Sequence, residues 1–86
     1  MNETIFVKYK PGSKMYVVFA GDVYRVKIRA VGYVETERSQ TYHIQYIIPI
    51  GTSKIKANWI VGEKVGQLYQ TYEEAKAAQE GAENNG

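Results

Sequence analysis

Cysteine is absent from this 86-residue chain, and disulfides, thiolate zinc sites and cysteine nucleophiles are excluded with it. Histidine and aspartate each occur once, as His43 and Asp22, so any histidine-based triad or metal site would depend on a single residue. The glycines are scattered singly, forming neither a Walker-type phosphate loop nor a dinucleotide fingerprint. No apolar run is long enough to cross a bilayer, and Met1 to Lys10 lacks the apolar core of a secretory signal. These absences argue against an enzyme and imply no cofactor, no metal and no membrane partner. They point to a reducing, cytoplasmic location.

What is present fits one small globular domain. Hydrophobic residues at 44% and charged residues at 23% stand at globular values, and 86 residues are too few for two ordinary domains. Eight tyrosines, two phenylalanines and one tryptophan, with many valines and isoleucines, favour strands. Tyrosine buries a ring while keeping its hydroxyl near water, which suits a thin, partly covered sheet or a binding surface. Charge is uneven. Residues 1 to 70 carry ten Lys or Arg against five acids, whereas residues 71 to 86 carry Lys76 against Glu73, Glu74, Glu80 and Glu83. The body is basic and the tail acidic, a balance that permits phosphate binding without demanding it.

The patterning is that of strands. A short apolar run, Ile5 to Val7, precedes a turn at Pro11-Gly12. Met15 to Ala20 is nearly all β-branched or aromatic, and Ala20-Gly21-Asp22 supplies a tight hairpin. Tyr24, Val26, Ile28 and Ala30 then alternate with Arg25, Lys27 and Arg29, giving one apolar and one basic face. The register falters afterwards, and a bulge at Val31-Gly32 is expected to restore it. A polar turn from Glu35 to Gln40 leads to a third strand, Tyr42 to Ile50, where Pro49 marks an edge or the strand's exit. After Gly51-Thr52-Ser53, Ile55, Ala57 and Trp59 alternate with Lys54, Lys56 and Asn58, and Gln67 to Gln70 adds a short fifth strand. Thr71 and Glu74 form a capping-box pattern that starts a helix over about 72–79, docked through Tyr72, Ala75 and Ala78. One domain over residues 1–80 and a disordered tail over residues 81–86 complete the expected organisation.

Lys10-Pro11-Gly12 before Tyr16-Val17-Val18, followed by Gly21-Asp22-Val23-Tyr24-Arg25-Val26-Lys27-Ile28, resembles the opening hairpin of Tudor and KOW-type SH3-like domains. The likeness covers roughly a third of the chain. It implies a mainly β, five-stranded SH3-like (Tudor-like) barrel with a short C-terminal α-helix. The ending, Leu68-Tyr69-Gln70-Thr71 then Glu73-Glu74-Ala75, resembles the strand-then-helix close of small prophage and mobile-element proteins with such barrels. By position, Phe19 and Tyr24 match two residues of the Tudor aromatic cage, with Tyr46 as a third ring; such cages hold methylated cations over π faces. The family's Asp-Tyr-Gly-Asn stretch has no counterpart, because Ile48-Pro49-Ile50-Gly51 stands there. Methyl-ligand binding is therefore not assigned, and the plainer reading is that the rings pack a thin barrel.

Two functional readings follow. The leading one is a non-catalytic binding or adaptor module that recognises a protein or peptide through an aromatic barrel face of Phe19, Tyr24 and Tyr46. The alternative is a nucleic-acid-binding accessory domain that uses a basic patch of Arg25, Lys27, Arg29, Lys54 and Lys56, with Tyr16, Tyr33 or His43 offering a ring for stacking. Alternating cations also keep outer faces soluble, which is the simplest account of them. Glu35 and Glu37 flank a turn and are expected to be solvated. Self-association through an exposed edge carrying Ile47 and Pro49 is a third possibility, giving a homo-oligomer.

Overall fold

The computed structural model describes residues 8–85, so the apolar run Ile5 to Val7 lies outside the described residues. Five strands, β1 (Lys14–Phe19), β2 (Asp22–Glu35), β3 (Gln40–Ile50), β4 (Ser53–Ile60) and β5 (Leu68–Tyr69), precede a helix, α1 (Tyr72–Asn85). All strand pairings are antiparallel, and the sheet runs in the order β4-β3-β2-β1-β5. β4 and β5 are its two edges and do not pair with each other, so the hydrogen-bonded sheet is open.

Local chemistry sets the turns. In Lys10-Pro11-Gly12-Ser13 the Ser13 N–H donates to the Lys10 carbonyl at 3.0 Å, with proline fixing the first corner and Gly12 at φ 92° the second. This is the pattern of a type II turn. Between β1 and β2 the connection is two residues, Ala20 at φ 52° and Gly21 at φ 83°, whose positive angles match the twist of a hairpin. Pro49 lies opposite Lys54 on β3, one pair outside the hairpin's closing pair Ile50 and Ser53 and beyond the last β2 partner, Ile47. It stands at the strand's exit, with no β2 neighbour, where no ladder donor is missed.

β2 pairs with β1 through Asp22 to Lys27 and with β3 through Lys27 to Glu35, so one long strand serves both halves of the sheet. Its register shifts between Ile28 and Ala30, which places the bulge at Arg29 and not at Val31-Gly32. The reason is burial. Ile28 is 1% exposed and Val31 packs against the same core, three residues on, so the parity change must fall between them. Gly32 pairs regularly with His43.

Met15, Val17, Val26, Ile28, Ile44, Tyr46, Ile48, Trp59 and Leu68 form one core drawn from all five strands, joined by Tyr9, whose ring meets Trp59 edge-on at 5.5 Å. A flat sheet would leave this face wet, so the sheet must curl to bury both halves of it together. α1 packs against β1, β2 and β5. Thr71 caps it, its Oγ1 accepting from the Glu74 N–H at 3.1 Å while its hydroxyl donates to Glu74 Oε1 at 3.3 Å. Ala75 is fully buried, Gln79 donates through Nε2 to the Gly21 carbonyl, and Tyr72 stays exposed while meeting Tyr16 edge-on. The anchors are therefore Ala75 and Gln79. The helix also runs past the expected end at residue 79, through the segment read as a disordered tail, to Asn85.

Candidate functional site

Alternation in β2 sends Val26 and Ile28 into the core and leaves Arg25, Lys27 and Arg29 exposed on the other face. In β4 Lys54 and Lys56 are exposed, although Ile55 between them is exposed as well. The register joins the two sets: Lys27 and Lys56 both pair with Ile47 of β3, and Lys54 pairs with Pro49. With strands roughly 4.8 Å apart, β2 and β4 cations stand about 10 Å from one another across β3. Lys14 of β1 pairs with Lys27 from the other side, so the row across the sheet reads Lys14, Lys27, Ile47, Lys56. All five expected cations thus share one face, and Lys14 is a sixth. None of the six is ion-paired among the described residues.

The face is hollowed. One depression of about 480 Å³ is lined by Arg29, Ala30, Gln45, Lys56 and Asn58, among others. A second of about 400 Å³ is lined by Lys14, Arg25, Lys27, Pro49 and Lys54, and the two share Arg29 and Ile47. Neither is lined by an acid. The first hollow sits at the bulge, where Gln45 opposes Ala30 and pairs on its other side with Asn58. His43, two pairs further along β3, is tied to this group: the Asn58 amide Nδ2 donates to His43 Nδ1 at 3.0 Å.

The expected aromatic trio divides. Phe19 is 38% exposed and meets Tyr24, half-buried against the core, edge-on at 6.4 Å. Tyr46 is 3% exposed, inside the core, and its hydroxyl donates to the Gly66 carbonyl at 3.1 Å. Burial raises its phenol above the usual range. Among the stacking candidates, only Tyr16 and His43 border the basic face; Tyr16 lies opposite Arg25 and already touches Tyr72. Tyr33 pairs with Tyr42 near the far end of the β2–β3 hairpin, rings 5.0 Å apart. Its hydroxyl donates to Glu35 Oε1 at 2.7 Å, which engages a carboxylate read as merely solvated. That hydrogen bond, with smaller contributions from desolvation and the Glu35 charge, pushes the Tyr33 phenol up to about 12.

No protein-family model, curated protein or solved structure matches this chain. Its site must be read from its own geometry.

Among the described residues no three of His, Asp or Glu gather as a metal site, and no helix is long and apolar enough to cross a membrane. Of the two residues expected at a self-associating edge, Ile47 is paired on both sides, with Lys27 of β2 and Lys56 of β4, whereas Pro49 pairs only with Lys54 of β4. Sequence reasoning missed Lys14, because it began the first strand at Met15, one residue late. It also missed the cross-strand amides Gln45 and Asn58, whose pairing depends on the β3–β4 register.

Proposed function

We propose that this protein is a non-catalytic nucleic-acid-binding domain that holds phosphates on the outer face of β2, β3 and β4. The observation that carries this reading is the clustering of Lys14, Arg25, Lys27, Arg29, Lys54 and Lys56 around hollows lined by no acid. Net charge is only +2, but recognition responds to the local field, and acids remote from the face do little to offset it beyond a Debye length of roughly 8 Å. The shared strand β2, the strand order and the single curled core support an SH3-like barrel of the Tudor or KOW kind as the scaffold.

The test is fluorescence anisotropy with single-stranded and duplex oligonucleotides at two salt concentrations. Six phosphate contacts give a slope of log affinity against log salt of about −4 on single strands. The double substitution Lys27→Glu, Lys56→Glu is expected to abolish binding while leaving the unfolding midpoint nearly unchanged, since both side chains are solvent-exposed. Binding that is absent at micromolar protein, or indifferent to salt, refutes the reading. The peptide-binding alternative keeps exposed Phe19 against half-buried Tyr24 as its support but lacks Tyr46 as a surface ring. Capture of a defined peptide partner that is lost in Phe19→Ala would favour it instead.

A further inference from the structure

The hollow at the bulge has a chemistry that phosphate binding does not require. Its rim carries the cations Arg29 and Lys56, but between them stand two neutral amides, Gln45 and Asn58, paired across β3 and β4. A phosphate offers only acceptors, so half of each amide would face it unfavourably. A nucleobase edge offers donors and acceptors side by side, which an amide matches with its NH₂ and carbonyl together. Asn58 spends Nδ2 on His43, and among the described residues neither its Oδ1 nor the Gln45 amide has a protein partner. Ala30 contributes only a methyl group opposite Gln45, which keeps the hollow open. Arg29, the extra residue of the bulge, brings a planar guanidinium to the rim, a surface on which bases stack.

Building on the nucleic-acid reading above, we propose that this hollow receives one unpaired nucleobase, so that the ligand is single-stranded. In a duplex, base edges lie inside grooves that admit a helix or a two-stranded ribbon. A depression in the face of a wide curled sheet is accessible only to a base turned out of its strand. The volume of about 480 Å³ lies in the range of small-molecule pockets, roughly 300–1,000 Å³. Lys27, Lys54 and Lys56 then hold the flanking phosphates.

The experiment titrates the full chain with labelled homopolymers of adenine, cytosine and thymine, each roughly a dozen nucleotides, and with a duplex of equal length. The expected result is that one homopolymer binds about tenfold or more tightly than the weakest, and more tightly than duplex. The double variant Gln45→Ala, Asn58→Ala should level the homopolymers while keeping the salt slope. Ala30→Leu, which fills the hollow, should lower single-strand affinity toward that of duplex. Equal homopolymer affinities in the wild type overturn the base pocket and leave the basic face standing, as does a ranking that survives both variants. Salt-sensitive binding to no oligonucleotide at all refutes the face, and the pocket with it. Far-ultraviolet spectra of each variant separate lost binding from lost fold.

Discussion

Tyr33 and Tyr46 show how one residue type serves opposite purposes. Both lie in strands, but Tyr46 belongs to the series Ile44, Tyr46, Ile48 that forms the core, whereas Tyr33 lies where the core has run out. The parity of Tyr46 was legible in the sequence and pointed inward; its place in a surface trio came from positional likeness alone. Tyr33 ionises near 12 instead of the usual 10.0 because its neutral form donates to Glu35. The stability it adds is therefore complete below about pH 10 and lost as pH rises toward 12. Ultraviolet titration of phenolate should show both Tyr33 and Tyr46 ionising late, and Glu35→Gln should bring only one of the two down toward the ordinary value. Gly66 sits at φ 75°, and a Cβ there would meet the Tyr46 hydroxyl at 3.1 Å. Gly66→Ala should cost about 1–2 kcal/mol from the left-handed backbone, read as a lower denaturant midpoint; an unchanged midpoint refutes this account.

At the scale of elements, alternation located β2, β3 and β4, because a half-buried strand writes its two environments into every second residue. The bulge was misplaced by two to three residues because Gly32 is a conspicuous signal for irregularity, while the real one is set by where Ile28 and Val31 must both point. The helix start was legible in Thr71 and Glu74, the Thr71 hydroxyl accepting from the Glu74 N–H as that pattern implies. Its end was not, since Gly81 suggests a stop and the residues beyond it carry no apolar signal. Thr71→Ala removes the acceptor for the Glu74 N–H and should lower stability by about 1 kcal/mol, measurable by chemical denaturation together with a loss of helical ellipticity. Retention of both would mean that docking through Ala75 and Gln79 suffices.

Across the whole molecule, the two basic stripes were legible and were joined into one patch as an expectation, but their adjacency rests on the pairing of β4 with β3, a long-range choice that no local pattern encodes. The amide pair of Gln45 and Asn58 emerged only once that register was known. The strand shared between the two halves has a further consequence. Since Asp22 to Lys27 closes one half and Lys27 to Glu35 the other, neither half retains a complete sheet if its sister melts. Native-state hydrogen exchange should therefore find amides on both sides of Arg29 opening together, with one common protection ceiling; two distinct ceilings would contradict this. The same linkage means that the chain has no smaller autonomous piece, so fragments cut within β2 should regain structure only when recombined.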